Sequence, residues 1–194
     1  MSTPPEPTRP GAFPQEPTRP GAFPPGTASH RAEGDALPAR RCALLTVTDS
    51  RTLDTDESGK AMQRLLDAAG HTIADYQILP NNEARVRGHV RTLIARNDID
   101  TILITGGTGL GSKDRTVEAV RPLLDKELPG FGEIFRVISF QEQIGAAAIL
   151  SRAVAGSANG KLVVSMPGSK AAVELALTRI ILPELRHAIR ELRR

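Results

Sequence analysis

Apolar positions follow two rhythms after Arg41 and almost none before it. Cys42 to Thr48 is a short apolar run ending in polar residues, which predicts a buried strand of a parallel sheet. Ser58 opens an amphipathic stretch with Met62, Leu65, Leu66 and Ala69 on one face, and Gly70 closes it as a helix cap. Ile73 to Leu79 reads as a second strand. Glu83 to Arg96 reads as a helix with Val86, Val90, Leu93 and Ile94 inward. Thr101 to Thr105 is a third buried strand, followed by a loop and a short helix from Thr116 to Leu124. Gly130 to Val137 and Ile144 to Ala155 read as helical. Lys161 to Met166 is a fourth strand, and Ala171 to Arg193 a long helix kinked or divided at Pro183.

Strands alternating with helices predict a parallel sheet covered on both faces, with ligands at the carboxyl ends of the strands. The loops to examine therefore begin at Thr48, Pro80, Thr105 and Met166.

Residues 1–40 differ in kind. Glu-Pro-Thr-Arg-Pro-Gly-Ala-Phe-Pro occurs twice, at 6–14 and 16–24. Proline donates no backbone hydrogen bond, so the segment reads as a disordered, extended tail preceding a domain over 41–194. Docking of the repeat on an aromatic groove is the less favoured reading.

Composition narrows the classes. The tail carries four arginines against four acids, so the net charge of +3 belongs to the domain. That excess is too small to argue for nucleic acid and suits a small anionic ligand. Cys42 is the sole cysteine, which excludes an internal disulfide or a cysteine-based zinc site and favours a reducing, cytoplasmic setting. No run approaches the roughly 20 apolar residues of a membrane helix, and the N-terminus does not read as a secretory signal.

Candidate chemistry gathers after the third strand, in Thr105, Gly106, Gly107, Thr108 and Gly109, continuing through Gly111 and Lys113 to Asp114. Glycines let the backbone approach a ligand, and consecutive free N–H groups make an anion-binding concavity. Ser112 precedes Lys113, so the loop is not a Walker A loop, and Ser112 also breaks the dinucleotide fingerprint. Asp114 beside such a site reads either as a Mg²⁺ ligand or as a residue that caps a helix or pairs with Lys113 or Arg115. Thr116 reads as a helix N-cap. Thr48, Asp49 and Ser50 end the first strand, and can cap a helix or hold a ligand's polar edge. Pro167, Gly168 and Ser169 open the last helix, whose first N–H groups favour an anion; the plainer reading is that Ser169 caps it. Asp54 to Glu57 lacks the rest of a calcium loop. The four histidines share no metal spacing, and no serine has an evident histidine partner.

Five stretches carry a resemblance. They are Thr48-Asp49-Ser50-Arg51, Thr105 to Gly109, Leu128-Pro129-Gly130-Phe131-Gly132-Glu133, Ser151-Arg152-Ala153 and Met166-Pro167-Gly168-Ser169. In this order and spacing the chain resembles the MoaB/Mog family of molybdenum cofactor biosynthesis proteins, on its MoaB branch. The resemblance implies a three-layer αβα sandwich with a mostly parallel sheet, assembled as a trimer or hexamer, with Arg121, Glu133 and Arg136 near subunit contacts. It implies that molybdopterin is the ligand and that Mg-ATP adenylylates its phosphate. Loop 105–109 then matches the phosphate-binding loop, Asp114 the catalytic and Mg²⁺-binding acid, and residues 166–169 a second ligand loop. The family usually carries an aspartate after the second strand, where this chain has Pro80-Asn81-Asn82; Asn81 would orient a phosphate or a metal-bound water. Arg115 and Val117 likewise stand where valine and proline are commoner. A molybdopterin carrier without catalysis, and a scaffold displaying Pro-rich tails, are the competing readings.

Overall fold

The computed structural model describes residues 38–194. The reading of the Pro-rich repeats as an extended tail lies outside those residues, as does His30. Among residues 38–40, Arg40 is already buried: its N–H donates to His71 Nδ1 and its guanidinium to the Arg186 carbonyl.

Six strands form one sheet in the order β2-β1-β3-β6-β5-β4. The strands are β1 (Arg41–Val47), β2 (Thr72–Leu79), β3 (Thr101–Thr105), β4 (Lys126–Glu127), β5 (Val154–Ala158) and β6 (Lys161–Met166). The first four in spatial order are parallel, while β5 runs antiparallel to β6 and β4 antiparallel to β5. Alternation along each strand builds two cores. Cys42, Leu44, Leu103, Val164 and Met166 point to one, and Ala43, Leu45, Ile102, Ile104 and Val163 to the other. The first is covered by α1 (Glu57–Ala68), α4 (Pro129–Ser139), α5 (Lys170–Leu175) and α6 (Leu182–Leu192). The second is covered by α2 (Glu83–Ala95) and α3 (Thr116–Val120). The protein is the three-layer α/β sandwich that the sequence implied.

Several elements differ from expectation for identifiable reasons. Asp56, not Ser58, caps α1, accepting from the Gly59 amide at 3.0 Å; Gly70 closes the helix at φ +73°, as predicted. Thr116 is the first residue of α3 rather than its cap, and no side chain caps that helix. The predicted helix from Ile144 to Ala155 is instead a 3₁₀ stretch, Gly145–Leu150, running into strand β5. Its alanines favour helix, but β5 is built of small residues where β4 pairs closely beside it. A Cβ on Gly156 would lie 2.3 Å from the Lys126 carbonyl oxygen. The last helix is divided: a π-helical stretch, Ala176–Ile181, separates α5 from α6, next to Pro183, which has no N–H to continue the ladder.

Strand order reverses at β1, with β2 on one side of it and β3 on the other. Parallel sheets of this kind leave a crevice at the carboxyl ends of the strands beside that reversal.

Candidate functional site

That crevice is a cleft of about 490 Å³. The loop after β1 contributes Thr48, Ser50 and Arg51, and the loop after β2 contributes Asn81. The glycine loop after β3 contributes Gly106, Gly107, Thr108, Gly109 and Asp114. Pro167, Gly168 and Ser169 after β6 form the facing wall, with Leu150 and Ser151 closing one side. Most residues predicted for the site are thus brought together. Asp49 and Thr105 do not line it. Thr105 is fully buried and donates to the Pro167 carbonyl at 2.9 Å, tying two loops together. Asp49 accepts from the Asn81 amide at 2.8 Å, which fixes the loop after β2. That hydrogen bond, with the Lys113 charge nearby, holds the Asp49 carboxyl below its ordinary range.

The glycine loop takes a path closed to other residues. Gly106 sits at φ +92° and Gly107 at φ +62°. A Cβ on Gly106 would meet the Val47 carbonyl oxygen at 2.2 Å, so side-chain-bearing residues are excluded by both angle and space. A Cβ on Gly107 would fall between Thr116 Oγ1 and Asn81 Oδ1. Both oxygens are buried and have no hydrogen-bond partner among the described residues. Asn81 Oδ1 is thus an unused acceptor buried beside Gly107, on a residue that lines the cleft. Asp114 accepts from the Gly111 amide at 3.2 Å and makes no ion pair with Lys113 or Arg115 among the described residues. Arg115 binds Glu83 instead. Asp114 thus neither caps α3 nor pairs with a neighbouring cation among the described residues.

Two arginines matter that stand in stretches carrying the resemblance but were given no role from the sequence. Arg152 donates to the Thr108 carbonyl at 2.9 Å and the Asp114 carbonyl at 2.8 Å, and is held by Glu118 at 2.6 Å. It clamps the glycine loop at both ends, and the hydrogen bond from it holds the Glu118 carboxyl below its usual range. Arg51 reaches across to the wall after β6. The stretches mark both residues but not their contacts, because the partners lie far along the chain. Ser169 accepts from the Ala172 amide at 3.2 Å, so it caps α5, a helix of six residues.

Loops at the carboxyl ends of β1, β3 and β6, with glycine backbone on one wall, define a small-ligand α/β domain. The family model described as "Probable molybdopterin binding domain" matches residues 43–187, and the chain belongs to the MoaB/Mog family of molybdenum cofactor biosynthesis proteins. Within that family it is similar to molybdenum cofactor biosynthesis protein B. The protein of that name from Halalkalibacterium halodurans is 54% identical over 163 residues, covering 84% of this chain and 95% of the relative. The Bacillus subtilis protein is 48% identical over 154 residues, covering 79% and 91%. A crystal structure of molybdenum cofactor biosynthesis protein B superposes with a TM-score of 0.79 at 46% identity, covering 81% of this chain and 98% of that one. Among the described residues no helix is long and apolar enough to cross a membrane.

Proposed function

We propose that this protein binds molybdopterin in the cleft and transfers the adenylyl group of ATP to the pterin's phosphate. The observation that carries this reading is the cleft itself. Glycine backbone stands on one side of it, and its charged lining among the described residues is Arg51 and Asp114. Adenylyl transfer is an in-line displacement: a pterin phosphate oxygen forms a bond to the α-phosphorus as the bond to pyrophosphate breaks. The protein's work is to position two anions and offset their repulsion. The glycine loop would hold one phosphate group through its backbone N–H groups, while Arg152 and Thr105 keep the loop's shape. No side chain need become a covalent nucleophile.

The residues fit Mg²⁺ arriving with the nucleotide. Such an ion is commonly held by one or two carboxylates together with phosphate oxygens, and Asp114 and Asn81 supply a carboxylate and a spare amide oxygen. When bound, it would neutralise charge as the two phosphates approach. Among the described residues no three His, Cys, Asp or Glu side chains gather as a metal site, so the phosphates would have to complete the ligand set.

A second reading, a molybdopterin carrier without catalysis, is favoured by the neutral Asn81. The two are separated by mixing the protein with molybdopterin, ATP and Mg²⁺ without oxygen and following products by mass spectrometry. Adenylylated molybdopterin, lost in Asp114→Asn, supports the transferase. Pterin retained with no product supports the carrier.

We further infer a homo-oligomer, a trimer or hexamer. Leu128, Ile134, Val137, Phe140, Ile144 and Ile149 are exposed along one segment, and contiguous apolar surface of this kind marks association sites. Mass photometry showing a monomer at micromolar concentration would refute it. The Pro-rich segment displayed as an interaction module is tested by deleting residues 1–37, since an enzyme would keep its activity.

A further inference from the structure

Arg51 is held in an unusual way for a cleft residue. Its Nη1 donates to Ser58 Oγ at 2.9 Å and to the Gly168 carbonyl at 3.2 Å, and lies 3.5 Å from Asp56 Oδ1. Ser58 Oγ also donates to the Gly168 carbonyl at 2.7 Å, so the three residues form one knot between the start of α1 and the loop after β6. Asp56 is fully buried and receives the Tyr76 hydroxyl at 2.6 Å and the Gly59 amide at 3.0 Å. Arg51's remaining nitrogens, Nε and Nη2, make no hydrogen bond among the described residues, and about a third of its side chain is exposed. One nitrogen anchors the guanidinium and the others are left over, on a residue that lines the cleft.

We propose that Arg51 is the anion-recognition residue of this cleft: pinned through Nη1, it presents its free N–H groups to a phosphate group lying between it and the glycine loop. The idea rests on the proposed function for the identity of the ligand, though not for the chemistry of the contact. A guanidinium already immobilised loses little side-chain freedom on binding, and its planar fork matches two phosphate oxygens. Arg51 is the cation among the described lining residues, and Asp114 supplies the opposing charge. The buried Asp56 orients the fork through Nη1 while its own oxygens are taken up by Tyr76 and Gly59.

The test titrates the full chain with inorganic pyrophosphate, reading the backbone amide resonances of Gly106 to Gly109 by NMR, for the wild type, Arg51→Gln and Arg51→Lys. Thermal melts of each variant monitor folding. The expected result is pyrophosphate binding weakened by about 10- to 100-fold in Arg51→Gln, as for loss of hydrogen bonds to a charged group. Arg51→Lys should recover part of that affinity, since a lysine restores charge without the fork. If Arg51→Gln does not fold, the lysine variant decides: affinity equal to wild type overturns the proposal. So does wild-type affinity in Arg51→Gln, or a wild type that does not bind pyrophosphate. A parallel assay of molybdopterin retention separates the two claims. Pyrophosphate binding that depends on Arg51 without any pterin retention sinks the proposed function and leaves the anion site standing. Pterin retention that is indifferent to Arg51 does the reverse.

Discussion

The two ends of the sheet treat their carboxylates in opposite ways. At the amino end, Asp100 is 3% exposed and enclosed. The Arg41 amide donates to it at 2.8 Å and the Arg41 guanidinium at 3.0 Å, and Arg193 of the C-terminal segment reaches the same carboxylate. Burial pushes its carboxyl up, but these partners more than offset that and bring it down to about 2. At the carboxyl end, Asp114 has one backbone donor, at 3.2 Å, and no ion pair among the described residues. Asn81 and Thr116 add buried oxygens without partners. The carboxylate at the amino end collects several donors, whereas Asp114 at the carboxyl end has one. Closed charge serves stability, and the proposed function gives the open carboxylate of the cleft a ligand to meet.

The largest effect that separates the two ends should come from Asp114→Asn. Turnover of molybdopterin with Mg-ATP should fall on the order of a hundredfold or more, as when one preorganised electrostatic group is removed. The melting temperature should stay close to wild type, because Asp114 supports only one backbone donor. A drop of several degrees with little loss of turnover would mean that Asp114 belongs with Asp100 as a structural group.

Arg152→Ala should come next, and it should touch both properties. It strips donors from the Thr108 and Asp114 carbonyls and leaves Glu118 without its partner. Pyrophosphate affinity should fall about tenfold, and the fold should lose about 1–3 kcal/mol. Amide hydrogen exchange should quicken over residues 108–114 while the sheet strands keep their protection. Exchange unchanged across that loop would show that the clamp is dispensable.

The sequence was legible where the physics is local. β1, β3 and β6 are apolar runs with no competing signal, and the glycine loop stands out because its backbone path needs residues without Cβ. The sequence misled where a long-range contact overrode local preference. The predicted helix Ile144 to Ala155 runs into the start of β5 because its alanines favour helix, whereas the pairing of β4 alongside leaves room only for small residues such as Gly156. Arg152 stands in one of the stretches that carry the resemblance, but its purpose shows only when Thr108, 44 positions away, is placed beside it. Arg51 meets Gly168 across 117 positions. The loops that line the cleft could be found in one dimension, whereas the contacts of the side chains that hold them in place could not.

Asp100→Asn tests the closed end. The folded carboxyl at about 2 lies below the ordinary aspartate value of about 3.9, so the folded state holds its proton less tightly than the unfolded chain. Its stabilisation, about 2 kcal/mol, is therefore fully present above pH 4 and is lost as pH falls toward 2. Urea unfolding at pH 7 should show Asp100→Asn destabilised by about that amount, and the gap between variant and wild type should shrink as pH falls through the folded value and close only below about pH 2. Pyrophosphate binding should not change. A gap that persists at low pH would mean that Asp100 acts through packing rather than charge.

The smallest effect should come from Asn81→Asp, which makes the open end more like the family pattern. Asn81 keeps its amide hydrogen bond to Asp49, and its Oδ1 is the unused acceptor beside Gly107. Replacing the amide with a carboxylate adds a negative charge beside Asp49 and within the reach of phosphates. Without Mg²⁺ that charge should weaken pyrophosphate binding by a few-fold, since like charges in a partly desolvated site repel. With Mg²⁺ the order should reverse, because a second carboxylate improves the ligand set that Asp114 and phosphate begin. The variant should then need roughly a few-fold less Mg²⁺ for half-maximal turnover. Opposite signs with and without the ion would mean that the cleft's open lone pairs serve a cation shared with the ligand. The same sign in both conditions would mean that Asn81 contacts the ligand directly, and that the neutral residue is suited to this chain's site.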